Sequence, residues 1–198
     1  MNKKYIYKND GTVHEWTQEL AEACEMENRT LPEDNRHVVF ESDDPQAYKW
    51  ESGEAVAKTK DEKIAEKLIP LDELKAEKVT EVNGLCEAKI LQGFWSNATG
   101  INRHYQADRD DQTNIVGSVT ANVDMPYKCG VSTTLDNRQV VVYDFVYHTA
   151  AQLKQVFLDG ANIKSALLQN AYSLKNSISD ATTQDELLAI NINDGWVQ

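Results

Sequence analysis

The sequence predicts an α+β chain: a small β-rich N-terminal module, then a domain running helix, hairpin, short helix, hairpin, long helix. Three observations carry this. Residues 1–60 alternate short β-branched or aromatic runs with turn pairs. Residues 59–90 and 149–178 place apolar side chains at helical spacings of three and four. Between those two segments lie two aromatic-rich stretches whose runs are broken by Gly, Asp and Asn, as hairpins require.

In the first module, "KKYIYKNDGTVHEW" alternates Tyr5, Tyr7 and Val13 about Asp10-Gly11, the sign of a tight hairpin. A short helix follows on Trp16, Leu20 and Ala23-Cys24. Two further strands are expected over residues 36–41 and 47–50, parted by Asp-Asp-Pro and closed by Ser52-Gly53. The module is read as residues 1–60, an attachment unit. Residues 61–79 are read as a charged helical linker, and 80–198 as the larger domain.

Across 59–90, Ile64, Leu68, Leu71, Val79, Val82, Cys86 and Ile90 approximate one helical stripe, with Lys and Glu between them. Pro70 lacks a backbone donor and clashes with the preceding turn, so the helix should split there and restart near Leu71. The stretch "GFWSNATGINRHYQADRDDQTN" should make a hairpin-like excursion, and Asp110 or Asp111 should cap a short helix after it. A second hairpin pairs residues 131–134 with 139–143. The strongest periodicity comes last: Leu153, Val156-Phe157, Gly160, Ile163, Leu167, Ala171, Leu174 and Ile178 share one face, with Thr149 as the N-cap. Thr183 and Glu186 then form a capping box for a short terminal helix.

Charge narrows the partners. Thirty-two Asp and Glu against 20 Lys and Arg give −12, which repels phosphate backbones and anionic lipid surfaces, so neither nucleic acid nor membrane is expected. Nothing at the N-terminus reads as a leader, and synthesis in the cytoplasm is expected. Cys24, Cys86 and Cys129 are odd in number and far apart, unlike a disulfide framework or a zinc site, and are expected to be reduced packing residues.

Some residues invite a catalytic or metal reading. His104, Asp108, Asp110 and Asp111 cluster, but an EF-hand register from Asp108 finds Thr113 and Val119 where Gly and Glu are required. Cys129 with His104 or His148 lacks any flanking motif of a nucleophile, and no phosphate-cradling glycine loop is present. No cofactor, metal or catalytic residue is therefore expected. The aromatics Phe94, Trp95, Tyr105, Tyr127, Tyr143, Phe145 and Tyr147 form either the core under the helices or a contact surface for a partner subunit or glycan.

Residues 80–192 together resemble an uncharacterised domain found near the C-terminal end of tail-fibre and tail-associated proteins of tailed bacteriophages and prophages. The resemblance rests on Gly93-Phe94, Gly100, Tyr105 and Asp111-Gln112-Thr113-Asn114, then His148-Thr149, Gln152 and Leu153, then Ile178, Ala181, Thr183, Glu186 and Leu187. It implies a virion or assembly role. The expectation is a structural protein of a tail fibre, baseplate or collar appendage, partnered by other tail proteins and forming a homo-oligomer. A tail-fibre assembly chaperone and a small envelope- or glycan-directed hydrolase are the alternatives. The fold-signature or contact candidates are Gly93, Phe94, Gly100, His104, Tyr105, Asp111, Gln112, Asn114, His148, Thr149 and Gln152.

Overall fold

The structure, a computed structural model, describes residues 3–136 and 138–197. It is mixed α and β, with a β-rich N-terminal part and a C-terminal part dominated by long helices. The chain forms two compact units that meet between Pro70 and Leu71.

In the first unit, β1 (Lys3–Tyr7) pairs antiparallel with β2 (Val13–Glu15) and with β3 (Val38–Ser42). Gly11, at φ +85°, makes the turn that Asp10-Gly11 predicts, and Asp10 Oδ1 accepts from the Thr12 amide. Helix α1 (Gln18–Asn28) starts after Thr17, whose hydroxyl accepts from the Leu20 amide, so Trp16 lies outside it. Residues 36 and 37 do not extend the third strand. Asn28 Oδ1 accepts from the His37 amide and Asn28 Nδ2 donates to the His37 carbonyl, which takes both groups from the sheet ladder. The Asn9 amide donates to His37 Nδ1, so Nε2 carries the ring proton and donates to Glu27 at 2.6 Å.

The pair β4 (Tyr48–Glu51) and β5 (Glu54–Ala57) turns through Ser52-Gly53. The sequence pattern predicts no strand after Trp50, because "EAVA" is too short to show alternation. Helix α2 (Lys60–Ala65) carries a Thr59–Glu62 capping box and belongs to this unit. There is thus no separate linker over 61–79: its first half closes the first unit, and from Leu71 it is the first turns of α3 (Leu71–Leu91).

In the second unit α3 buries Leu74, Val82 and Cys86 against α5 (Ala150–Asp180). The helices run antiparallel: Lys75 Nζ donates to the Ser179 carbonyl, and Cys86 Sγ lies against the Leu167 carbonyl near the other end. Thr149 caps α5 in a box with Gln152, and Thr183 with Glu186 caps α6 (Gln184–Ala189). The face predicted for α5 is the one that packs: Leu153, Val156, Leu167, Ala171 and Ile178 are buried.

The sheet beside α5 is β6 (Phe94–Ser96), β7 (Arg103–Tyr105), β8 (Met125–Leu135) and β9 (Arg138–His148), antiparallel in that order. Helix α4 (Arg109–Ala121) lies between β7 and β8 in sequence. Its cap is Asp108, not Asp110 or Asp111: the Asp108 backbone is still extended and its Oδ1 accepts from the Asp111 amide at 2.8 Å. The two later acids fall in the first turn, where their charge favours the helix N-terminus.

Candidate functional site

Alternation along the four strands gives the sheet two unlike faces. Register places Trp95 opposite His104, His104 opposite Gly130 and Gly130 opposite Tyr143, so these four positions cross one face in a row. Phe94 lies opposite Tyr105, and Tyr127 opposite Val146, on the other.

The inner face is the core of the unit. Tyr105, Cys129 and Val156 are buried together, with Phe94, Ile115, Tyr127 and Val146 packed against them. Phe94 stacks on Tyr105 at 5.7 Å between centroids, and its ring also lies against Gly160 of α5. A Cβ at Gly160 would enter the Phe94 ring, so the glycine is what lets the helix approach the strand. Ser96 Oγ donates to Asp159 Oδ2 one residue earlier on α5, fixing the same approach. Gly93 holds φ +83°, and a Cβ there would strike the Tyr105 carbonyl.

His148 is wholly buried at the edge of this core. Its Nδ1 lies 2.7 Å from the Val146 carbonyl, which can only accept, so Nδ1 carries the proton. Nε2 is then an acceptor, and the Tyr105 hydroxyl donates to it at 2.8 Å. Burial pushes the imidazole below its ordinary range, only partly opposed by the Val146 bond, and it pushes the Tyr105 phenol up. Burial also pushes the Tyr127 phenol up to about 12. Both ring nitrogens of His148 are committed, so this histidine has no free base to offer Cys129. Burial raises the Cys129 thiol, the opposite of what a nucleophilic cysteine needs.

His104 belongs to the outer face. Its Nδ1 lies 2.6 Å from the Tyr143 hydroxyl, and Trp95 meets the ring edge-on at 5.1 Å. Burial lowers its pKa, with a bond to the Gln92 backbone opposing. Gly130 leaves the space over which Val141 and Tyr143 fold, since a Cβ there would strike both side chains. Lys128 Nζ sits 5.5 Å from the Tyr143 ring centre, a cation–π distance. Beyond this row the same face shows Phe145 at 69 % and Tyr147 at 65 % exposure, with Trp95 at 36 %.

The remaining candidates separate. Gln112 Nε2 donates to the Ala107 carbonyl, and its Oε1 accepts from Lys164 of α5. Asp111 Oδ2 is buried without a hydrogen-bond partner, and burial followed by the neighbouring Asp108 charge raises its pKa. Asn114 does not cap the helix: it is exposed within α4, and its carbonyl accepts from Ser118 Oγ. Gly100, at φ +80°, closes the β6–β7 turn with open space around it. Thr149 and Gln152 serve the α5 cap. Among the described residues no three metal-ligating side chains converge, and no helix is long and apolar enough to cross a membrane.

Phe94, Tyr105 and His148 are therefore brought together and His104 is set apart from them. Gly160, Ser96, Asp159 and Lys164 are missing from the candidates, and only Gly160 had a signal: a glycine inside a long helix lowers its stability by about 1 kcal/mol against alanine and needs a packing reason.

No curated protein and no solved structure matches the chain. A family model described as a domain of unknown function (DUF4376) matches residues 73–192, from the first turn of α3 to just past α6. That span is more than half of the 198 residues, and the chain belongs to this family.

Proposed function

We propose that the protein is a structural component of a tailed-bacteriophage virion, in a tail fibre, baseplate or collar appendage, and that it acts through protein contacts. The observation that carries this reading is the outer face of the C-terminal sheet, where Trp95, Phe145 and Tyr147 are exposed to solvent and Tyr143 lies half-buried on the same face. Aromatic side chains are enriched at the buried centres of protein interfaces, since a large rigid ring contributes area with little entropy to lose. The likeness of residues 93–114 and 148–187 to tail-protein sequences supports the assignment to a virion. In this reading the inner face holds the fold, the outer face meets a neighbouring subunit, and the N-terminal unit is a second attachment point.

The test is a mass-spectrometric census of purified particles. The protein is expected at a fixed ratio to the tail proteins, and Phe145→Ser with Tyr147→Ser is expected to lower its incorporation. A protein that raises the soluble yield of a co-expressed fibre but is missing from particles is an assembly chaperone instead, and the proposal fails.

A further inference from the structure

The sheet of the second unit ends in two unequal edges. β6, at one edge, has three residues, whereas β9, at the other, has eleven. Natural edges are ordinarily blunted by brevity, proline, lysine or a bulge. β9 has none of these: "RQVVVYDFVYH" contains neither proline nor lysine, and its register with β8 runs unbroken from Met125–His148 to Leu135–Arg138. Arg138, Gln139, Val142 and Asp144 are exposed along it.

The same end of the sheet is short of strands. β7 pairs with β8 at His104–Gly130, whereas β8 and β9 stay paired as far as Leu135–Arg138, so the sheet narrows there to a two-stranded ribbon. Such ribbons are marginal alone in water, and a further strand with an apolar face stabilises them. One face of this ribbon carries Val131, Val140 and Val142. The free edge of β8 is confined to Val131–Leu135, while among the described residues β9 has a strand on one side only over its full length.

The residues of β9 complement themselves. Directly opposed residues of an antiparallel pair lie on one face, where opposite charges attract and like charges repel. About a two-fold axis at Val141, Arg138 of each copy meets Asp144 of the other, Val140 meets Val142 and Gln139 meets Tyr143. The adjacent registers that keep like faces together are worse. Centred on Val140, Asp136 meets Asp144; centred on Val142, Asp144 meets Val140. Asp144 Oδ1 already accepts from the Phe145 amide at 2.7 Å, which holds the carboxylate in place and leaves Oδ2 for the guanidinium.

We infer that the protein forms a two-fold dimer in which β9 pairs with β9 of a second copy over residues 138–144, Val141 standing opposite itself. The inference stands on this strand edge and not on the virion reading. The contact is isologous, so it closes at two copies. It widens the ribbon from two strands to four, and it joins the two outer faces, with their Tyr143 side chains, on one side of a continuous sheet.

Sedimentation velocity on the full chain tests it. The unmodified protein is expected to reach a dimer, and nothing larger, between about 1 μM and 0.1 mM. Arg138→Asp sets aspartate against aspartate and Asp144→Arg sets arginine against arginine, and each alone is expected to weaken the dimer at least about tenfold. An equal mixture of the two variants restores both opposite pairs and is expected to dimerise like the parent. Both positions are exposed, and circular dichroism checks that each variant folds. Amide exchange on the unmodified chain needs no variant: peptides covering 138–144 are expected to exchange more slowly at the higher concentration than at the lower. A monomer throughout that range, an assembly beyond the dimer, single variants that dimerise like the parent, a mixture of folded variants that stays monomeric, or exchange over 138–144 that ignores concentration overturns the inference.

Discussion

The two faces of the C-terminal sheet are made by the same four strands, often by adjacent residues, yet they serve opposite ends. Phe94, Tyr105 and Tyr127 point one way into a core closed by α5, while Trp95, the half-buried His104 and Lys128 lie on the other face. The inner face satisfies every ring nitrogen of His148 and leaves no room even for a methyl group at Gly160. The outer face keeps whole rings such as Phe145 more than half in water. Aromatics left in water on one sheet face are the feature on which the proposed contact role rests.

The contrast is broken most sharply at Tyr105. Tyr105→Ala is expected to lower stability by about 3–5 kcal/mol in urea denaturation, because it empties the centre of the core and leaves His148 Nε2 without a donor. A loss below about 1 kcal/mol would mean that the inner face is not the core. Gly160→Val comes next, at about 1–3 kcal/mol from overpacking against Phe94, and Phe94→Leu in the same chain is expected to recover part of it.

The pH profile follows from His148. Its folded pKa lies below the ordinary imidazole value, so the unfolded chain takes up a proton first. Stability is therefore complete above about pH 6.5 and falls as pH drops from there toward the folded pKa, by at most about 1.4 kcal/mol per pH unit for one group. Repeating the urea titrations across pH on His148→Gln is expected to flatten this slope.

Thr149→Ala removes the α5 cap and is expected to cost about 1 kcal/mol, readable in the same titrations. At the other extreme, Phe145→Ser and Tyr147→Ser are expected to change stability by no more than about 0.5 kcal/mol while lowering self-association or incorporation into particles. If these outer substitutions unfold the protein instead, the distinction between the faces collapses.

Legibility in the sequence followed the range of the forces involved. Thr149 with Gln152, Thr183 with Glu186 and the Asp10-Gly11 turn are local, each closing within a few residues, and each is found where the sequence predicts it. The sequence places the α4 cap two or three residues late, at Asp110 or Asp111, because Asp108, Asp110 and Asp111 all have capping chemistry and only the extended backbone at Asp108 selects among them. His104 and Tyr105 illustrate the harder case. Neighbours in sequence and both chosen as candidates, they fall on opposite faces, and alternation over three residues is too short to say which faces the helix.

By itself the sequence determined the fold class, the break at Pro70, the packed stripe of α5 and the caps, since periodicity and capping are written within one or two turns of chain. Only the tertiary structure decided which aromatics are core and which are surface, that Gly160 yields to Phe94 across 66 positions of sequence, and that Gln112 meets Lys164. Those outcomes depend on which strand lies against which helix, and long-range packing leaves no periodic trace in the residues that take part in it.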